Sequence, residues 1–449
     1  MALHGVAVGW RPELAADLLH STGAVDFLEV VAETCFAQPA LRREARAAAE
    51  VWPVVLHGVK LSLGSAGGAD MERARRLGAL AREMGSPAIS EHVAFTRGGG
   101  REIGHLTPLP WTRDAVRVLA RNVDAVRRVL PDVPLLLENV AWTVRWPEDA
   151  LDEGEFYQEV VAATGCDLLL DVANLYANAV NAGLEPRAAL RTYPLDRVAM
   201  VHVAGGAVET GFYLDTHAHA VPEAVFALLA DLLDETGALP LVLERDDRFP
   251  PFPELRAELA RLRAIGRSAP SRPPADRPRP PLPTPVDEGP LAARQARLAA
   301  LLTAPNPPGG TAADGFDRAA LLRTRSVLQH KRVDDALPLL ARTSALGEAA
   351  REAAFAALRE APRTALGAGI ADALRVADAA SADPRLGPAA RRDRLELRSR
   401  FVASAPGGPR PRGGPFLGRE RLPGGGTVWA LKGFGREAPV RLFELGGEG

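Results

Sequence analysis

The chain has 449 residues, 47% of them hydrophobic and 24% charged, with a formal net charge of −2 at pH 7. That composition describes a folded protein with room for two or three domains, and its near-neutral balance gives no bulk attraction to nucleic acid or to an anionic membrane. Two Cys, Cys35 and Cys166, are too few for a disulfide framework or a thiolate metal cluster and suit a reducing cytoplasm, the expected location; no run of eighteen apolar residues predicts a membrane span, and "MALHGVAVGW" lacks the pattern of a secretory signal.

Taken in order, the first part alternates short apolar runs with helical stretches. The runs are "VAVGW" (6–10), "DFLEVVA" (26–32), "PVVLHGV" (53–59), "AISEHVAF" (88–95), "PLLLENVA" (134–141), "DLLLDVANL" (167–175), "VAMVHVAG" (198–205) and "PLVLERD" (240–246). Continuously apolar runs of this length fit strands buried on both faces. Segments such as "MERARRLGALAREMG" between them carry apolar residues at spacings of three and four. Eight strands, each followed by a helix or long crossover, predict an α/β fold, a (β/α)8 TIM barrel over residues 1–266. A doubly wound open sheet is the alternative, though no GxGxxG follows the first strand.

Residues 267–290, "RSAPSRPPADRPRPPLPTPVDEGP", hold too much proline for a helix or central strand and are expected to be a linker. Beyond it, 291–449 is expected to be a mainly helical domain. "FDRAALLRTRSVLQHKRVDDALPLLART" and "LGEAAREAAFAALREA" show helical spacing, and a Gly/Pro/Arg-rich stretch from Pro406 to Gly426 follows. "TVWALKGFG" and "PVRLFELG" then read as a closing β-hairpin. This part shows no catalytic motif, and its one His, His330, is expected to be structural.

The chemistry gathers at the strand ends of the first part. Strand three ends with His57, strand four with His92, and strand five with Glu138 and Asn139. Strand six ends with Asp171, and Asn174 follows within a turn. Strand seven ends with His202, and its loop carries Asp215 and His217 within "YLDTHAH". Strand eight ends with Glu244, with Asp246 two residues on. Six consecutive strands thus bring imidazoles or carboxylates to the C-terminal face, where barrel active sites lie. Carboxylates crowded there would repel unless cations lay between them. The donors suffice for two or three metal ions, and mixed nitrogen and oxygen donation suits iron, manganese or zinc. Asp215 and His217 are expected to share a metal from an extended segment, with His219 in an outer role. Glu29 and Glu33 read as acceptors for neighbouring loops, with support of a metal ligand as the alternative. His105, in "GHLTPLP", is a weaker ligand candidate, with a structural loop role as the equal alternative, and His4 and His20 read as ordinary.

At these residues the chain resembles the multinuclear non-heme iron-dependent oxidative enzymes of the methanobactin-maturation-oxygenase kind, formerly an uncharacterised protein family. The resemblance covers about residues 4–265 and rests on "VVLHGVKLSLGS", "SEHVAF", "LLENVAW", "LLLDVANLYANAVN", "VHVAG", "LDTHAHAVP" and "LERD". It implies a xylose-isomerase-like barrel holding two or three iron ions, with His57, His92, Glu138, Asp171, Asn174, His202, Asp215, His217 and Glu244 as ligands. It implies O2 as co-substrate and oxidation of a residue, often Cys, in a ribosomally made precursor peptide, with the peptide thiolate and O2 both taken up at iron. Asp246 would act as proton acceptor, with simple support of a ligand as the alternative. Members commonly use a partner protein that presents the peptide, and residues 291–449 are expected either to take that part or to leave it to such a partner. Thr34 and Arg245 depart from the family pattern near the substrate mouth, and at Asn174 some members carry His.

Two other functions fit the same residues. One is a divalent-metal barrel isomerase or phosphodiester hydrolase that activates water or a hydroxyl. The other is a non-catalytic peptide-binding module with a structural metal, against which the surplus of ligands argues.

Overall fold

The computed structural model describes residues 3–209, 211–270, 280, 287–304, 314–359, 361, 368–402, 409–423, 425–436 and 438–445. Most of the expected linker, residues 271–279 and 281–286, lies outside them, as does part of the Gly/Pro/Arg-rich stretch. The chain forms two compact units, one of residues 1–96 with 106–293 and the other of 97–105 with 294–449.

In chain order the strands of the first part are β1 (Val6–Gly9), β2 (Phe27–Val31), β3 (Val54–Gly58), β4 (Ile89–His92), β5 (Ala94–Gly98), β6 (Arg101–Pro108), β7 (Leu135–Glu138), β8 (Asp167–Asp171), β9 (Val198–Val203), β10 (Ala207–Glu209), β11 (Phe212–Leu214) and β12 (Leu241–Leu243). Eight of them close a parallel barrel in the order β1-β12-β9-β8-β7-β4-β3-β2, and these are the eight runs read from the sequence. The fold is a (β/α)8 barrel. β5–β6 and β10–β11 are two-stranded additions on the loops after β4 and β9. The run "AISEHVAF" therefore contains two strands, broken at Val93, where one was expected.

The barrel interior explains the site. One apolar residue from each strand run, namely Ala7, Phe27, Val55, Ala88, Leu136, Leu169, Met200 and Val242, fills the lumen as a buried layer. Side chains two residues apart on a strand share a face. The next layer toward the C-terminal end is therefore Gly9, Glu29, His57, Ser90, Glu138, Asp171, His202 and Glu244. Seven of these eight are polar and lie above a dry plug. The parallel registers set Asp171 beside His202 and His57 beside Ser90, and bring His92, one layer position further along its strand, beside Glu138.

The second unit includes the helices Arg318–Ala336, Glu348–Arg359, Ala368–Ala380 and Gly387–Arg400. Val333, Leu340, Leu358, Val376 and Leu397 are among the residues of its core. The Arg332 guanidinium forks onto Asp372 inside it, with both bonds 2.8 Å long. The expected terminal hairpin is Thr427–Lys432 with Val440–Leu445, and Phe416–Arg421 adds a third antiparallel strand. That strand lies inside the Gly/Pro/Arg-rich stretch, where composition hid its alternation. The His330 ring packs edge-on to Phe355 and contacts the Ser326 carbonyl. Among the described residues no helix is long and apolar enough to cross a membrane.

Candidate metal centre

The upper layer of the barrel converges on Glu138. Its Oε2 lies 3.6 Å from His57 Nε2 and 3.4 Å from His92 Nε2, and its Oε1 lies 3.3 Å from His202 Nδ1. His202 Nδ1 also lies 3.0 Å from Glu244 Oε2. The same Glu244 oxygen is 3.2 Å from His217 Nδ1, and His217 Nε2 faces Asp215 Oδ2 at 2.5 Å and Asp171 Oδ2 at 3.7 Å. Four overlapping groups of potential ligand atoms result: His57, His92 and Glu138; Glu138, Asp171, His202 and Glu244; Asp171, Asp215 and His217; and His217, Glu244 and Asp246. Glu138 joins the first two groups, Asp171 the second and third, Glu244 the second and fourth.

These side chains are aimed but not satisfied. Glu138 Oε2, Asp171 Oδ2, Asn174 Oδ1, His202 Nδ1, Asp215 Oδ1, His217 Nε2 and Glu244 Oε2 are buried and make no hydrogen bond. The short separations among them lack the angles of a hydrogen bond. A buried polar atom without a partner costs about 1–3 kcal/mol, so seven in one space need a common explanation. Cations held between them supply one, and the donor set fits such ions.

The opposite atoms of the same residues are firmly held. His57 Nδ1 meets Ser90 Oγ at 2.8 Å, His202 Nε2 meets Glu29 at 2.9 Å, and His92 Nδ1 meets the Gly58 carbonyl at 3.2 Å. Such bonds set the tautomer and turn the other nitrogen inward. Asp171 caps the helix Val172–Asn181: its Oδ1 accepts from the amides of Ala173 and Asn174, leaving Oδ2 to the centre. Asn139 locks the Asp171 backbone on both sides, donating to its carbonyl and accepting from its amide. Asn174 Nδ2 donates to the Asn139 carbonyl, which turns Oδ1 the other way.

The loop after β9 brings Asp215 and His217. Gly205 permits it, because a Cβ there would stand 2.3 Å from the carbonyl oxygens of His219 and Ala220. The segment is not extended as expected. His217 has φ 51°, a left-handed backbone that costs a non-glycine residue roughly 1–2 kcal/mol. The turn still places Asp215 and His217 together. His219 goes elsewhere: its ring meets Thr216 Oγ1 at 2.9 Å and Arg248 at 3.3 Å.

Electrostatics records the crowding. Burial disfavours the charged His92 ring, but Glu138 and then Glu91 outweigh it and lift its pKa to about 9. Burial likewise opposes the Glu138 charge, and His92, His202 and His57 overcome it, holding the carboxyl at about 2. Asp171 rises to about 8, through burial and then the charge of Asp215. Without cations, protons do the neutralising.

Glu29, expected to serve a neighbouring loop, instead meets His202, the contact that the alternative reading gave it. Two neighbours escaped the sequence reading, and the first, Ser90, follows from the two-residue periodicity once the apolar layer is known. Arg11, at the end of β1, forms an ion pair with Asp246, whose Oδ2 lies 3.5 Å from His217 Nδ1. Glu33 does serve a loop, accepting from the Val59 amide at 3.2 Å. His105 is in none of the four groups.

The model of the RiPP precursor modification enzymes MbnB/TglH/ChrH matches residues 5–267. A UPF0276 protein of Streptomyces avermitilis is 42% identical over 279 residues, 60% of this chain and 56% of that protein, so the chain spans about half the length of that relative. A UPF0276 protein of Caulobacter vibrioides is 37% identical over 262 residues, 58% of this chain and 93% of that protein. Among solved structures, endonuclease IV from Thermus thermophilus is 20% identical with a TM-score of 0.40, over 59% of this chain and all of that one. A xylose isomerase domain protein from Planctomyces limnophilus is 18% identical with a TM-score of 0.37, over 58% and 94%. The chain belongs to the MbnB/TglH/ChrH family of RiPP precursor modification enzymes.

Proposed function

We propose that the protein is an O2-dependent iron oxidoreductase that modifies a residue, often Cys, of a ribosomally made precursor peptide in the cytoplasm. The observation that carries this reading is the set of seven buried, unsatisfied donor atoms, six of them on residues of the overlapping ligand groups, joined to family membership. His57, His92, Glu138, Asp171, Asn174, His202, Asp215, His217 and Glu244 would hold two or three iron ions. Iron bound there supplies Lewis acidity toward a substrate thiolate and one-electron chemistry with O2.

The chain's own residues do the rest. Glu138, Asp171, His217 and Glu244 each belong to two ligand groups and so would link the sites that hold neighbouring ions. The apolar layer beneath seals the lumen from water on that side. Asp246, exposed and paired with Arg11, would accept the proton released as substrate is oxidised. Burial and Glu244 oppose the charge of that carboxylate, but His217 first and Arg11 least outweigh them and hold it below its usual range; the ion pair also orients it. The peptide would be presented by residues 291–449 or by a separate partner protein.

Anaerobic purification with metal analysis, followed by O2 uptake and mass spectrometry of a co-expressed Cys-bearing precursor, tests the proposal. Iron, O2 consumption and a mass change on the peptide are expected. Colourless zinc-loaded protein that leaves the peptide and O2 untouched would overturn it and point to a hydrolase. Removing 291–449 is expected to weaken precursor binding; unchanged affinity assigns presentation to another protein.

A further inference from the structure

The barrel unit carries a second polar feature that the metal centre does not use. Glu153 opens the helix Glu153–Thr164, and its carboxyl lines a cleft of about 450 Å³ on the barrel wall. That size suits a small ligand or a single long side chain. Trp111, Trp142 and Tyr193 give it aromatic lining, and Ala179 and Ala182, from the C-terminal end of the Val172–Asn181 helix and its cap, line it as well.

The partners of Glu153 are all neutral. Oε1 accepts from Tyr193 Oη and Asn178 Nδ2, each at 2.8 Å, and Oε2 accepts weakly from Trp142 Nε1 at 3.4 Å. No Lys or Arg among the described residues donates to it. Arg145 shares the cleft but is committed elsewhere, to Asp149 at 2.8 Å and to the Trp111 face at 3.7 Å. Glu153 is half-buried, and carboxylates withdrawn from water are ordinarily paired with a cation or a metal. Burial pushes the Glu153 carboxyl above the usual range; its three hydrogen bonds offset this in part, and the Arg145 charge offsets it least.

The cleft is also built rather than collapsed. Asn178 bonds three ways, to Glu153, to the Val140 carbonyl and to the Trp142 amide, and so fixes the loop that carries Trp142. Tyr193 is stacked on Tyr157 with centroids 5.1 Å apart. The walls are therefore set before any ligand arrives.

We infer that this cleft binds a cationic alkyl group, an alkylammonium or alkylguanidinium, with its charge on Glu153 and its methylenes against Trp111, Trp142 and Ala182. A carboxylate among aromatic faces favours this chemistry over anions, which Glu153 would repel, and over purely apolar groups, which would leave its charge unpaired. A basic side chain of a peptide and a free amine share that chemistry. The site stands apart from the iron chemistry and does not depend on it.

The test is saturation-transfer NMR and titration calorimetry on the full chain. The probes are Nα-acetyl-lysine methylamide, Nα-acetyl-arginine methylamide, butylammonium and the uncharged Nα-acetyl-norleucine methylamide. Saturable binding of the cations, at least about tenfold tighter than norleucine, is expected. Tighter binding of the capped amino acids than of butylammonium assigns the site to peptide, and the reverse to a free amine. Glu153→Gln should erase the preference for charge. Ala182→Trp, which crowds the mouth without touching the carboxyl, should weaken every probe and serves alone if Glu153→Gln fails to fold. Equal affinity for norleucine, no saturable binding, or binding unchanged in both variants overturns the inference.

Discussion

Replacing Glu138 by Gln isolates the residue on which three imidazoles converge. In metal-free protein the carboxylate is stabilised by His92, His202 and His57, which hold its pKa at about 2 rather than 4.5. The side chain is 1% exposed, so solvent screens little of this. A depression of that size corresponds to roughly 3 kcal/mol. Gln keeps the shape but loses the charge, so the metal-free variant should be less stable by about that amount near neutral pH. With an unfolding entropy of about 2.1 cal/mol/K per residue over roughly 260 residues, the melting point of the barrel unit should fall about 6 °C. The sign fixes the window: a depressed carboxyl contributes stability that is present above pH 4.5 and lost as pH falls toward 2. The gap between wild type and variant should therefore close on acidification. Calorimetry of chelator-treated protein across pH measures it, and metal analysis of loaded protein should show the variant short of ions. A variant as stable as wild type at neutral pH, with a full complement of metal, would refute the convergence.

The metal-free barrel should lose stability as pH rises: His92 contributes stability that is complete below 6.5 and gone above about 9, and Asp171, raised to about 8, adds a loss in the same direction between 3.8 and 8. Melting curves of chelated protein across that range check the slope, and metal should flatten it. His217→Gly relieves roughly 1 kcal/mol of backbone strain but removes the ring that Asp215 and Glu244 hold protonated, so the metal-free form should melt lower near neutral pH, while calorimetric metal binding weakens. Glu29→Gln, which leaves His202 Nε2 with a weaker partner, should lower metal affinity about 10–100-fold with all ligands still present. Asp246→Asn should leave metal content unchanged and slow peptide oxidation about 10²–10⁴-fold, read by mass spectrometry of the precursor.

Much of the barrel was legible because a strand buried on both faces must be continuously apolar, and eight such runs are hard to hide. The candidate site positions were legible because polar residues at the ends of those runs break the pattern. What stayed hidden depends on geometry that no local pattern carries. Arg11 follows β1 as an ordinary surface residue would, and only barrel closure sets β1 beside β12 and brings Arg11 to Asp246. The run "AISEHVAF" concealed a break because Val93, Ala94 and Phe95 are as buried as the barrel strand before them. The segment at 215–217 looked extended because two-residue spacing serves a strand and a left-handed turn alike; only φ at His217 separates them. Phe416–Arg421 alternates half-buried and exposed residues, yet proline, glycine and arginine around it mask that period.

Charge counting explains how a barrel with such a rim can fold before any ion arrives. Glu29, Glu91, Glu138, Asp171, Asp215, Glu244 and Asp246 bring seven carboxyls to the centre, against four imidazoles and the Arg11 guanidinium. Raised pKa values on His92, His202 and His217 keep those rings protonated, and a raised Asp171 keeps one acid neutral. Bound protons thus offset much of the negative charge of the metal-free centre. An ion that displaces them must release protons in proportion to the number it replaces. Metal uptake should then acidify an unbuffered solution and weaken as pH falls below the range of these groups. Calorimetry in buffers of different ionisation enthalpy counts the protons. A centre that took up metal with no proton release would mean that its imidazoles were already neutral, and the proton-held metal-free state would have to be abandoned.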